Sequence, residues 1–291
     1  GTATFHDSKV GLHVEPGKSH AGRVEIVEIG IPRGAPSAVA AGLISERVLA
    51  LYPHRERTGS KFVSGVVVVA GGSVGLTGAP TMAARSAQRA GAGYVQVAVP
   101  APVQLGVDLR LLEQMSRGLP DHDGFHTARG VEAVAEMAER AGAVVLGPGI
   151  GRAGSAVEFA RGVGRAVETP LLVDADGLNA YAGKLELLAE RRAPTVLTPH
   201  EGELGRLLEL HSDEVSAHRL RYAREAARLS GAVVLLKGDD TIVAAPSSPV
   251  AINPSGTPAL APAGTGDVLS GLIGALLAKG VSAFEAAAMG A

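Results

Sequence analysis

Ala143-Val-Val-Leu146-Gly-Pro-Gly-Ile-Gly151 is an unbroken apolar run followed at once by three glycines and a proline. A strand that is apolar at every position, rather than at every second one, is suited to burial on both faces. The pattern recurs. Val66–Ala70, 94–99, Leu171–Val173, Thr195–Leu197 and Val233–Leu236 read as further strands, with helical patterns between them. Residues 127–141 set Val131, Val134, Ala138 and Ala141 at helical spacing, and 215–230 read as one charged amphipathic helix stopped by Gly231. Doubly buried strands alternating with helices predict an α/β fold, a mostly parallel central sheet covered by helices on both faces. Ligands of such sheets sit beyond the carboxyl ends of the strands, so function is sought in the loops that follow these runs.

Working outward, residues 2–32 read as short strands with Gly and Pro turns: Thr2–Phe5, a turn at Pro16-Gly17-Lys18, then 24–29 alternating polar and apolar. The Pro/Gly/Ala/Ser stretch 32–41 is the linker candidate, and a domain boundary is expected in it. The chain has 291 residues, enough for a large domain beyond that point. Lys and Arg total 27 against 29 Asp and Glu, a net charge of −2 without a basic cluster, so nucleic acid is not an expected partner. There is no cysteine, which excludes disulfides, thiol catalysis and thiolate metal sites. The charge-free stretches 62–84 and 241–266 are too rich in glycine and proline to span a membrane, and no signal-peptide pattern opens the chain. A cytoplasmic protein without a membrane partner is the expectation.

The loops hold the unusual residues. Ala261-Pro-Ala-Gly264-Thr-Gly-Asp267 precedes an apolar helix expected over 268–278. Two glycines let the main chain approach a ligand, and the first turn of a helix offers unpaired N–H groups, so Gly264, Thr265 and Gly266 read as an anion site. Asp267, in the same turn, either caps the helix or accepts the proton of a hydroxyl being phosphorylated. Gly71-Gly-Ser-Val-Gly-Leu-Thr-Gly-Ala79-Pro80 and Gly147-Pro-Gly149-Ile-Gly151 either lay main chain against a ligand or simply turn tightly; neither is a dinucleotide fingerprint or a P-loop. Asp174 and Asp176 face the same way if their strand continues, to hold Mg²⁺ through water or to contact a substrate hydroxyl; otherwise Asp176 caps a helix. Thr198-Pro-His200-Glu-Gly-Glu203 clusters a histidine with two acids but lacks a further zinc ligand, which favours hydrogen bonding or contact with Mg²⁺-bound water. Lys237, at a strand end in Leu235-Leu-Lys237-Gly-Asp-Asp-Thr241, is either solvated or set against a phosphate.

Taken together these loops resemble a known family. From about Leu43 to Ala291 the chain resembles the NAD(P)HX dehydratases of the ribokinase-like superfamily. Gly71-Gly-Ser-x-Gly-x-Thr-Gly-Ala-Pro80, Gly147-Pro-Gly-x-Gly151, Asp174-Ala-Asp-x-Leu-Asn179, Thr198-Pro-His-x-Gly-Glu203, Leu236-Lys-Gly238 and Ala263-Gly-Thr-Gly-Asp-Val-Leu-Ser-Gly271 occur in family order. Residues 1–35 resemble the end of an NAD(P)HX epimerase domain plus a linker, leaving 36–291 as the dehydratase domain. Since the family continues past Ala291, truncation at the C-terminus is expected.

The resemblance implies repair of hydrated nicotinamide cofactor. ADP or ATP, with Mg²⁺, phosphorylates the added hydroxyl of (6S)-NAD(P)HX, and loss of phosphate regenerates NAD(P)H. It implies that Asp267 is the catalytic acid/base and that Gly264, Thr265 and Gly266 form the anion hole. Ala79, Gly149, Gly151, His200 and Asp267 are then expected to line the NAD(P)HX pocket. Lys237, Gly238, Asp239, Asp240, Thr241 and Gly266 are expected to contact the nucleotide, and Glu203 to reach Mg²⁺ through water. His200 stands where kinases of the superfamily commonly carry Asn. Relatives suggest a homo-oligomer. Two other readings stay open: a superfamily kinase for a hydroxymethylpyrimidine or thiazole alcohol, and a catalytically silent nucleotide-binding module.

Overall fold

Four consecutive valines at 66–69 leave no polar face, and Val66–Ala70 accordingly lies inside a ten-stranded sheet, covered on both sides. The computed structural model describes residues 1–32, 39–54 and 62–291. In chain order its strands are β1 (Thr2–Phe5), β2 (Val24–Val27), β3 (Ala41–Leu43), β4 (Val66–Ala70) and β5 (Tyr94–Pro100). There follow β6 (Met115–Leu119), the two-residue strands β7 (Asp121–His122) and β8 (Phe125–His126), β9 (Ala143–Leu146) and β10 (Leu171–Val173). Last come β11 (Thr195–Leu197), β12 (Val233–Leu236), β13 (Ile242–Ala244) and β14 (Val250–Ile252). The large sheet has the order β3-β14-β13-β12-β11-β10-β9-β4-β5-β6 and is parallel except where β13 meets β12 and β14.

Alternate residues of each central strand feed two cores. Val68, Val144, Leu171 and Leu236 pack with the helices Val131–Ala138, Gly154–Ala166, Glu201–Leu208 and Arg219–Ser230. Val67, Val145, Leu172 and Leu235 face Gly78–Arg89, Thr265–Ala278 and Ala283–Gly290. Helices Gly78–Arg89 and Thr265–Ala278 come very close: a Cβ on Gly271 would lie 2.0 Å from the Ala83 carbonyl oxygen. All six apolar runs are strands of this sheet, and the α/β expectation is met. Among the described residues no helix is long and apolar enough to cross a membrane.

Several boundaries differ from the sequence reading. Residues 215–230 are not one helix: Ser212–Ala217 and Arg219–Ser230 are separated by His218, at φ −135° and ψ 42°. The bend lets Arg219 turn inward to the half-exposed Glu201 and the buried Asp240. The 127–141 pattern resolves into a 3₁₀ turn and the shorter helix Val131–Ala138, and the helix expected from 268 begins at Thr265. Pro16-Gly17-Lys18 opens the short helix Gly17–Ala21. The strand expected over 24–29 stops at Val27 and pairs in parallel with β1. Residues 33–38 of the linker candidate, with the expected boundary, lie outside the described residues, whereas Ala41 already belongs to β3. The segment before the linker packs on the rest: Val14 enters a main core, the Glu15 amide donates to Asp240 at 2.8 Å, and Lys18 pairs with Asp239 at 2.5 Å.

Candidate active site

Because β10, β11 and β12 are parallel neighbours, the loops after them emerge side by side. Lys237 follows β12, and its ammonium binds Asp174 Oδ1 at 2.9 Å, after β10, and lies 3.6 Å from Glu203 Oε2, after β11. Its amide donates to the Pro199 carbonyl at 2.8 Å. The fourth partner is the start of helix Thr265–Ala278, where a Cβ on Gly266 would lie 3.4 Å from Lys237 Nζ. Ser270, one turn further along that helix, donates to Asp174 Oδ2 at 2.6 Å. Four separate motifs thus converge on one ammonium. Burial works against that charge, but Asp174 and Glu203 outweigh it and raise the Lys237 pKa.

Gly264 starts the helix at φ +95°, a conformation costly for any residue with a Cβ. The turn leaves the amides of Gly266 and Asp267 without an acceptor among the described residues, aimed from the positive end of the helix. Asp267 does not cap: the N-cap is Gly264 and no side chain caps this end. Burial and the nearby Asp174 charge push its pKa up to about 6, with Lys237 opposing. An uncommitted carboxylate beside exposed amides and an ammonium is arranged to receive a proton next to a transferring anionic group.

His200 is the N-cap of Glu201–Leu208. Its Nδ1 accepts from the Gly202 amide at 3.0 Å and the Glu203 amide at 3.4 Å, while Glu203 Oε2 accepts from the His200 amide at 2.9 Å. This capping box uses Nδ1 as an acceptor, so a neutral ring carries its proton on Nε2. Among the described residues, Glu203 Oε1 has His200 Nε2 beside it, at 3.6 Å. Among the described residues no three His, Asp or Glu side chains are placed to hold a metal ion directly. One buried carboxylate with a spare oxygen suits a Mg²⁺ reached through water while it rides on phosphates.

Asp174 and Asp176 do not face the same way. The strand ends at Val173, and Ala175, at φ +50° and ψ −126°, reverses the chain between them. Asp174 turns to Lys237 and Ser270, whereas Asp176 accepts from the Gly151 amide at 3.2 Å and meets Arg152 at 3.3 Å. Asp176 is the first residue of its short helix and not its cap. The glycine loops interlock: the Gly72 amide donates to the Pro148 carbonyl at 2.9 Å, and a Cβ on Gly149 would lie 2.6 Å from the Leu76 carbonyl oxygen and 3.3 Å from Ala79 Cβ. Gly149 and Gly151 are buried by this packing, and Ala79 is half-buried at the loop surface.

A cleft of about 510 Å³ opens beside the Gly264–Asp267 turn. Lys237, Gly238, Asp239, Thr241, Thr265 and Gly266 line it on one side, and Leu260, Leu269 and Leu272 supply apolar wall. Asp240 is a correction. It does not line the cleft; it is 2 % exposed, faces Arg219 Nε at 3.0 Å and accepts the Glu15 amide. Asp239 and Asp240 lie in the turn between β12 and β13 and go separate ways, Asp239 to Lys18 and Asp240 to Arg219. The sequence reading also missed Ser270, four residues beyond Gly266 and hence on the same helical face, and Arg219, which nothing in its charged helix singles out.

Residues 67–291 match the family model described as NAD(P)H-hydrate dehydratase. The chain belongs to the NAD(P)H-hydrate dehydratase family. It is 40 % identical over 297 residues to a bifunctional NAD(P)H-hydrate repair enzyme from Moorella thermoacetica, covering 100 % of this chain and 56 % of that one. It is 42 % identical over 296 residues to the enzyme of the same description from Salinibacter ruber, covering 99 % of this chain and 54 % of that one. The chain therefore spans about half the length of these relatives. A crystal structure of the ADP/ATP-dependent NAD(P)H-hydrate dehydratase from Bacillus subtilis, co-crystallised with ATP/Mg²⁺, superimposes with a TM-score of 0.73 at 28 % identity, covering 87 % of each chain. The family's ribokinase-like architecture is the fold described above.

Proposed function

We propose that this chain dehydrates (6S)-NAD(P)HX to NAD(P)H at the expense of ADP or ATP. The observation that carries this reading is the convergence of the Gly264–Asp267 turn, the 198–203 turn and the 237–241 loop on the Lys237 ammonium. The cleft takes the nucleotide, with Lys237, Gly238, Asp239, Thr241 and Gly266 along its phosphate side. The hydrated nicotinamide lies across the Asp267 and His200 side of the turn, towards Ala79.

Asp267 takes the proton of the 6-hydroxyl as its oxygen bonds to the terminal phosphorus and the bridging P–O bond of the nucleotide breaks. Amides of the 264–267 turn and Lys237 meet the charge that builds on the phosphoryl oxygens. The C6–O bond of the phosphoester then breaks, phosphate leaves, and loss of the C5 proton completes the double bond of NAD(P)H. Mg²⁺ on the nucleotide phosphates would neutralise part of their charge, with Glu203 holding its water. His200 presents Nε2–H beside this site, a donor for a substrate oxygen. Asp240 is kept out of the nucleotide contacts because it is committed to Arg219.

The test is a product assay with hydrated NADH, Mg²⁺ and either ADP or ATP. Return of the reduced-nicotinamide absorbance with release of one phosphate per turnover is expected. A stable phosphoester would favour the kinase reading, and nucleotide binding without turnover the silent module. The substrates are metabolites of the cytoplasm, where we place the protein. We also propose that it works as a homo-oligomer, a reading supported by the exposed Leu105, Leu109, Leu112 and Met115 beside the edge strand β6.

A further inference from the structure

Arg219 is a buried charge that the mechanism above does not use. Its side chain is only 2 % exposed, and separate segments of the chain meet on it. Nη1 donates to Glu201, the first residue of the helix that carries Glu203, and Nη2 donates to the Lys237 carbonyl at 3.3 Å. Nε faces Asp240 Oδ1 at 3.0 Å, and the other oxygen of Asp240 accepts the Glu15 amide. Gly238 lies flat against the guanidinium, so close that a Cβ there would sit 2.3 Å from Nη2. A planar fork with five donors can fix several acceptors at set angles, which a lysine cannot do. Lys237 and Gly238 line the cleft, Asp240 stands between the lining residues Asp239 and Thr241, and Glu201 opens the helix that carries Glu203.

We propose that Arg219 is a positioning residue: it sets the spacing between the 198–203 turn and the 237–241 loop, and through that spacing the affinity of the cleft for a nucleoside di- or triphosphate. The proposal rests on the nucleotide reading of the cleft given above. The test measures binding of Mg·ADP by calorimetry, together with steady-state kinetics, on the intact chain. Arg219→Gln is expected to raise the dissociation constant and the nucleotide KM on the order of tenfold or more, with a smaller change in kcat. Arg219→Lys, which restores charge without the fork, recovers only part of the loss. Arg191→Gln is the control, because the half-buried Arg191 guanidinium binds the carbonyls of Gly164, Val167 and Thr169 at the opposite end of the sheet. It should lower the melting temperature and leave nucleotide affinity unchanged.

Native affinity in Arg219→Gln, or an equal loss in Arg191→Gln, would overturn the proposal and leave Arg219 a stability residue. Should Arg219→Gln not fold, Glu201→Gln carries the same comparison, since it weakens one arm of the clamp at a half-exposed side chain. A native chain that binds no Mg·ADP would overturn the reading of the cleft and this proposal with it. Binding by the native chain with no effect of the Arg219 variants would overturn this proposal alone.

Discussion

At Asp267, the same burial that raises the carboxyl pKa to about 6 also makes ionisation unfavourable to the fold. The folded value lies above the ordinary 3.8, so the penalty is absent in acid and grows as pH rises from about 4 through 6. Asp267→Asn should therefore abolish turnover and yet stabilise the protein by about 1–2 kcal/mol at pH 8, after allowance for partial solvation; thermal melts of both proteins should converge towards pH 4. For the native chain, kcat/KM should rise with pH through an acid limb near 6, because the proposed base, Asp267, must be ionised. Lys237→Met tests the other half of the pair. It leaves Asp174 and Glu203 buried without their cation, which should cost about 3–5 kcal/mol in a denaturant titration. Since Lys237 opposes the rise at Asp267, its loss should also move the acid limb to higher pH in whatever activity remains.

The elements matter because the turn proposed to be catalytic is only as well placed as the helix behind it. Helix Thr265–Ala278 is held against Gly78–Arg89 through Gly271, where any side chain would strike the Ala83 carbonyl. Gly271→Val should destabilise by about 3 kcal/mol and reduce kcat, because relief of the clash shifts the turn that carries Asp267. Gly154→Ala, where a Cβ would meet nothing within 4 Å, should change the denaturant midpoint by less than about 1 kcal/mol and leave kcat alone. The central strands were legible in the sequence because burial on both faces writes an unbroken apolar run. Strands β3, β13 and β14 escaped because these three-residue strands sit among turns and not between helical patterns, unlike the equally short β10 and β11. β6 escaped because an edge strand tolerates Ser116 and Arg117. At the site, Glu203 and Lys237 showed as polar residues in turns after apolar runs, and Asp267 as an acid in a glycine turn just before one. Their meeting did not show, because it depends on strand order. Asp240 was misread because a charged loop residue looks alike whether it faces solvent or a buried arginine.

Across the whole molecule, ten strands leave one end of the sheet to irregular chain, and the first 32 residues reach that same end through Glu15 and Lys18. Lys18 neutralises Asp239 on the rim of the cleft, where an unpaired carboxylate would repel phosphates. Lys18→Glu should weaken nucleotide binding several-fold, more at low salt than at high salt, in a titration of affinity against ionic strength.

The apolar lining of the cleft, Leu260, Leu269 and Leu272, has a consequence for selectivity. A surface of leucines grips a flat heterocycle by contact area, and the polar side chains of the lining, Asn253 and Thr257, are already bonded to Ala291, Ser255 and Ala259 and not set to read its edge. Guanine and hypoxanthine should then be accepted in place of adenine with penalties of about 10–200-fold at most, rather than the 10⁴-fold or greater rejection that edge-reading pockets achieve. Rescue of the coenzyme would in that case follow the total purine phosphate supply of the cell and not the level of any one base.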